Sequence, residues 1–189
     1  MEQLKAVEEL CQPDERSRAF MVADPNSGLR PIRVEDLHAQ AQQIQVAEAV
    51  PESVRDQCEV AKTMLVYSWY FYPFRVSACL QALVAVESAL RLRLADDETR
   101  MKILLRTAAE RGLIRQEGFT GWGERGSGSR EGPTATGDSA VESYLDMLAE
   151  ELPHFRNRLA HGAHMLFPGG GSIVLACVEL INQLFRSDD

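Results

Sequence analysis

The segment FRNRLAHGAH, at residues 155–164, collects side chains that can perform acid–base chemistry. Arg156, Asn157 and Arg158 are followed by His161. A histidine titrates near neutral pH and can move a proton, and a guanidinium stabilises negative charge with forked hydrogen-bond donors. Cleavage of RNA by its own 2′-hydroxyl needs both functions, because the phosphorane gathers negative charge. An Arg–His pair therefore suits such a reaction without a metal ion.

A late helix must position these side chains. Phe155 and Leu159 resume an apolar stripe after Pro153, which is predicted to interrupt or restart the helix. With Phe155 and Leu159 facing the core, the helical period places Asn157 and His161 on the opposite, exposed face, with the two arginines on either flank. The polar residues are therefore not needed for packing.

Helix capping offers a different explanation of the same residues. His161 and Arg158 lie in the last turn before Gly162, where positive charge interacts favourably with the helix dipole. The same spacing disfavours an Arg156–His161 site within one chain, because these two residues are about 140° apart around a helix. Arg158 and His161 are only about 60° apart. Either the helix unwinds near Gly162, or the working pair comes from two protomers.

The rest of the chain predicts a mostly α-helical, up-and-down bundle of four to five main helices, at residues 51–189. Residues 1–50 are predicted to form an N-terminal extension with a β-hairpin around Pro-Asn-Ser-Gly and a helix from Val34. Helices are predicted over 74–94 and 97–111, and a Gly/Ser-rich loop over 117–138, before a helix capped by Asp138 or Ser139. In the first of these helices the predicted core face comprises Val76, Cys79, Leu80, Leu83, Val86, Leu90 and Leu94.

Charge and composition exclude several functions. The formal charge of −8 over 189 residues makes non-specific coating of nucleic acid unfavourable. The acidic, amphipathic N-terminus does not predict a signal peptide, and the apolar run Val76–Leu94 is interrupted by charged residues, which predicts a buried helix and no membrane span. The four cysteines are far apart, so reduced thiols in a cytosolic protein are expected.

Neither a cofactor nor a metal is predicted. The GWGERG sequence lacks the strand and helix that a dinucleotide site requires. His154, His161 and His164 do not have the spacing of zinc ligands, so surface or capping roles are favoured.

Two further groups of residues allow more than one interpretation. Glu87 and Arg91 have the spacing of an ion pair within a helix. The arginines and lysine between residues 91 and 115 are interpreted as solvated helix faces with acidic partners, or as the border of an RNA groove. The aromatic run YSWYFYPF, at residues 67–74, favours a core or dimer interface over base stacking.

The arrangement RNRLAHG, with Arg156, Asn157, His161 and Gly162, resembles the R-x4-6-H motif of the HEPN (higher eukaryotes and prokaryotes nucleotide-binding) superfamily. The order of elements is similar as well: a long apolar helix with an internal acidic residue, Glu87, then the helix with the motif, then a closing apolar helix. The resemblance covers roughly residues 51–185. It implies an all-α bundle that commonly dimerises by bringing two motifs together, and metal-independent RNA cleavage in catalytic members.

On this resemblance, Arg156 and His161 match the catalytic pair, with Asn157 and Glu87 in supporting roles. Arg158 is an equal candidate if the site lies within one chain. The resulting expectation is a cytoplasmic homodimer that cleaves RNA in a toxin or defence system. The alternative is a non-catalytic helical module that binds a nucleotide or a protein partner, such as an antitoxin.

Overall fold

A computed structural model describes residues 4–24, 28–120, 144–161 and 169–186. These residues form a mostly helical bundle with one small sheet. The helices are α1 (Glu15–Arg18), α2 (Val34–Gln43), α3 (Glu52–Tyr67), α4 (Pro73–Leu94), α5 (Met101–Glu110), α6 (Tyr144–Ala160) and α7 (Gly170–Leu184), and the strands are β1 (Met21–Asp24) and β2 (Gly28–Pro31). The prediction of a helical bundle with an N-terminal hairpin and helix is therefore confirmed.

Helix α4 is the centre of the bundle and packs against α3, α5, α6 and α7. The predicted core face is confirmed, because four of its residues are buried and the partly buried Val76, Leu80 and Leu94 pack against the core. Small residues extend the buried surface further around the helix, and they allow neighbouring helices to approach from several sides. These small buried residues are Ala78, Ala82, Ala85 and Ala89.

Helix α4 is also long and apolar enough, by length and composition, to cross a membrane. However, half of the apolar 18-residue stretch of this helix is buried inside the bundle. A central helix of a soluble protein passes the same test, so this helix is only weak evidence for a membrane span.

The N-terminal segment is fastened to the residues that connect α3 and α4. The Asp14 side chain accepts a hydrogen bond from the backbone N–H of Tyr72, and the Ser17 hydroxyl donates to the carbonyl of Ser68. Burial alone would raise the pKa of Asp14, but hydrogen bonds from Arg16 and from backbone N–H groups outweigh it and lower this pKa to about 2. Residues before α2 therefore cover part of the bundle.

The β-hairpin is joined to α2 by one arginine. Strands β1 and β2 pair antiparallel, from Met21 opposite Pro31 to Asp24 opposite Gly28, and the predicted turn at residues 25–27 lies outside the described residues. Arg30 binds Asp24 and, through two hydrogen bonds of 2.7 Å, Asp36 of α2. These bonds hold the strands against the start of the helix.

Three local predictions require correction. Helix α6 is continuous through Pro153, because Leu148, Leu152 and Leu159 anchor the helix in the core on both sides of the missing hydrogen bond. The predicted caps at residues 138 and 139 lie outside the described residues.

The helix predicted over 97–111 begins later, at Met101. The Asp96 carboxylate accepts hydrogen bonds from the backbone N–H groups of Glu98 and Thr99, and these bonds form a turn before the helix.

The beginning of the predicted loop at 117–138 is ordered, which is the third correction. Residues Gln116–Gly118 form a 3-10 turn, and Phe119 behind it is buried in the core. The buried Gln183 of α7 accepts a hydrogen bond from the N–H of Arg115. One apolar side chain thus fastens this end of the segment, and residues 121–138 lie outside the described chain.

Candidate functional site

A cleft of about 360 Å³ lies where α4, the start of α5 and α6 meet, and we refer to it as the Glu87 cleft. Helix α6 brings five of its residues here because its apolar face, with Leu152 and Leu159, is buried on the other side. The charged and polar residues that line the cleft are Glu87, Arg91, Glu98, Thr99, Arg100, Lys102, Glu150, His154, Arg156 and Asn157.

Glu87 connects two arginines at the inner wall of this cleft. Its carboxylate lies 3.2 Å from the Arg156 guanidinium on α6 and 2.8 Å from the Arg91 guanidinium one turn further along α4. The predicted Glu87–Arg91 pair is therefore present, and the same carboxylate also contacts Arg156. Arg156 in turn donates a weak hydrogen bond of 3.4 Å to the side-chain oxygen of Asn157. Three of the predicted site residues are thus adjacent.

A second carboxylate, Glu150, organises the outer wall. Lys102 and Arg106 of α5 bind its two oxygens at 2.6 and 2.7 Å. The hydrogen bond from Lys102 lowers the pKa of Glu150, and the nearby His154 acts in the same direction. Two of the basic residues between 91 and 115 thus have an acidic partner, as one of the two interpretations of their sequence predicts, but the sequence does not identify that partner as Glu150. The partner lies 44 residues away from Arg106, and no local pattern could have indicated the contact.

His161 stands apart from this cleft. Its backbone N–H donates to the carbonyl of Asn157 at 3.0 Å, so the helical hydrogen-bonding pattern continues to His161. The angular offset between Arg156 and His161 is therefore retained, and the His161 side chain is exposed and does not line the cleft. Unwinding before His161 is thereby ruled out as a way to bring the two together, and Gly162 lies outside the described residues.

The position of Arg158 fits both interpretations of the motif. It is exposed in the last turn of α6, close to His161 along the chain. That position is compatible with the capping interpretation and with an Arg158–His161 pair.

Within the described residues, no cluster of three or more histidine, cysteine, aspartate or glutamate side chains has the arrangement of metal ligands. His164 lies outside them. Cys58, Cys79 and Cys177 are buried in the core, and burial raises the pKa of Cys58 to about 11 and that of Cys79 to about 12. These thiols are therefore unreactive as nucleophiles at neutral pH.

Comparisons of the chain with protein-family models, with curated proteins and with solved structures gave no match.

Proposed function

We propose that this chain is a HEPN-like, metal-independent endoribonuclease, in which Arg156 stabilises the phosphorane and His161 transfers the proton. The observation that carries this proposal is the contact between Glu87 and Arg156. It holds a partly exposed guanidinium at the wall of a cleft that is lined by four arginine and lysine side chains and three carboxylates.

The working site is composed of two protomers in this proposal. On a regular helix, Arg156 and His161 differ by five residues, which corresponds to about 140° of rotation and about 7.5 Å along the axis. The helical hydrogen bond at His161 retains this separation. A twofold symmetric homodimer would place His161 of one chain opposite Arg156 of the other and would form the site twice.

The biological setting follows from the same resemblance. We propose a cytoplasmic protein of a toxin or defence system, with RNA as the substrate and an antitoxin or another protein as a partner. The alternative function is a non-catalytic interaction module. It is favoured by the exposed apolar residues Leu92 and Ile103 at the ends of α4 and α5, which offer a surface for a protein partner.

Cleavage of labelled RNA tests the proposal. Purified protein, with excess chelator present, should cleave single-stranded RNA and leave 2′,3′-cyclic phosphate ends, because the 2′-hydroxyl is the nucleophile. His161→Ala should abolish this activity, since the proton-transfer group is lost. The matched control is His38→Ala, which removes another exposed histidine that does not line the Glu87 cleft.

Arg156→Ala should lose activity while Arg158→Ala, a neighbouring arginine of the same helix, retains it. Loss in Arg158→Ala with retention in Arg156→Ala would instead place the site within one chain. Absence of cleavage by a folded, dimeric wild-type protein would support the interaction module.

A further inference from the structure

An open groove of about 1050 Å³ is lined by residues that are distant in sequence from the RNRLAHG motif. We refer to it as the Tyr67 groove. Leu4 and Leu10 of the N-terminal segment and Val34 of α2 line it. Tyr67 at the end of α3, Phe71 in the connection and Phe74 at the start of α4 line it as well. The aromatic run of the sequence thus lines a cavity as well as contributing to the core.

Several large apolar side chains of this groove face solvent. Tyr67 is 54% exposed, Phe74 38% and Leu10 51%, whereas Tyr72 of the same aromatic run is 2% exposed. Contiguous exposed apolar surface of this kind marks binding sites on soluble proteins. The volume, together with a mostly apolar and aromatic lining, is typical of sites for small organic ligands.

The charges of the groove define the ligand further. Lys5 and His38 line it, and no carboxylate does so among the described residues. The Lys5 ammonium donates to the backbone carbonyls of Gln12 and Tyr70 at 3.0 and 2.8 Å, which fixes its position and leaves a third proton to donate. In a chain with a net charge of −8, this local excess of positive charge is complementary to an anionic head group.

We propose that the Tyr67 groove binds a fatty-acid-type amphiphile, with its carboxylate paired to Lys5 and its alkyl chain along Tyr67, Phe71 and Phe74. This binding is independent of the proposed ribonuclease activity, because none of its residues lines the Glu87 cleft. Burial of each methylene group contributes about a fourfold increase in affinity, so affinity should depend steeply on chain length.

Dodecanoate, octanoate and dodecyltrimethylammonium, each below its critical micelle concentration, are the probes. Calorimetric titration of the full chain should show dodecanoate binding at least about tenfold more tightly than octanoate, because its alkyl chain is longer. Dodecanoate should also bind at least about tenfold more tightly than dodecyltrimethylammonium, because the head groups have opposite charge. Cys11 provides a second readout. It lines the groove and is exposed, while the other three cysteines are buried, so dodecanoate should slow its alkylation by iodoacetamide.

Two pairs of variants locate the site. Phe74→Glu should abolish binding, and Val84→Glu should not, because both residues belong to α4 and are similarly exposed but only Phe74 lines the groove. Lys5→Gln should lower the affinity for dodecanoate by about fivefold or more. Lys62→Gln, which removes a lysine paired with Glu59, should leave this affinity unchanged.

Equal affinity for the two dodecyl amphiphiles would overturn the proposal, as would unchanged binding in Phe74→Glu. A wild-type dimer whose Cys11 is already protected without any amphiphile would also overturn it and would identify the occupant as a second copy of the chain.

Discussion

Replacing Glu87 with glutamine removes the carboxylate that holds two arginines at the wall of the cleft. The Arg91 contact is 2.8 Å and the Arg156 contact 3.2 Å, and the Glu87 side chain is 20% exposed. Exposed ion pairs contribute about 0.2–1 kcal/mol, and hydrogen bonds to charged groups contribute more when they are partly buried. We therefore expect Glu87→Gln to lower the free energy of unfolding by about 1–2 kcal/mol.

The Arg156 part of this loss can be separated by a double-mutant cycle. Urea unfolding of Glu87→Gln, Arg156→Gln and the double variant should give a coupling free energy of about 0.5 kcal/mol or more, because the longer contact and the more exposed guanidinium make this pair the weaker of the two. The coupling should diminish in 1 M salt, because the Debye screening length at that concentration is only about 3 Å.

Glu98→Gln is the control, since Glu98 lines the same cleft without an ion pair to any described residue. A coupling within about 0.2 kcal/mol of zero would refute the contact between Glu87 and Arg156, because pairs that do not interact are additive. In the ribonuclease assay, Glu87→Gln should reduce the rate by about tenfold while Glu98→Gln does not, since an unheld guanidinium is less well oriented.

Three other predictions concern stability and are measured by urea unfolding. Burial opposes ionisation of Asp14, but its hydrogen bonds hold the pKa at about 2, below the unfolded value, so its contribution to folding stability is present above about pH 4 and is lost as the pH falls towards 2. Asp14→Asn should therefore lower the free energy of unfolding by about 2 kcal/mol at neutral pH. Plotted against pH, the stabilities of wild type and variant should converge in acid, and parallel curves would contradict this account. Gly118→Ala should cost about 1–3 kcal/mol, because its methyl group would overlap the buried Gln183 side chain; a neutral effect would contradict the ordered turn. Leu90→Ala should cost about 2–5 kcal/mol, since Leu90 is fully buried in α4, and a loss below about 1 kcal/mol would contradict its central place.

Local sequence signals were sufficient for most elements of the fold. The Pro-Asn-Ser-Gly turn indicated the hairpin, and helical periodicity over residues 74–94 indicated α4, which spans Pro73–Leu94. These signals act within a few residues, which is why they can be interpreted without tertiary information.

Predictions that depended on tertiary packing were less accurate. Alanines such as Ala82 and Ala85 carry little hydrophobic signal, yet they are fully buried where neighbouring helices approach α4. Pro153 was expected to interrupt or restart a helix that packing on both sides maintains. The buried Phe119 helps to anchor the start of a segment whose composition indicated a loop.

The candidate site depended even more on distant contacts. Periodicity alone placed Asn157 and His161 on an exposed helix face, with Arg156 and Arg158 on its flanks. Glu87 lies 69 residues from Arg156, so its contact could be expected only from the resemblance. Glu150 was missed, because its partners on α5 follow from the packing of two helices rather than from any spacing.

Mixing two inactive variants tests the composite site most directly. Arg156→Ala and His161→Ala protein, unfolded and refolded together with RNA as the substrate, should form mixed dimers in which one of the two sites again has both residues. Random pairing makes about half of the dimers mixed, so about a quarter of wild-type activity should return. Recovery of about that size would support a site shared by two protomers, whereas no recovery by demonstrated mixed dimers of an active wild-type enzyme would contradict it.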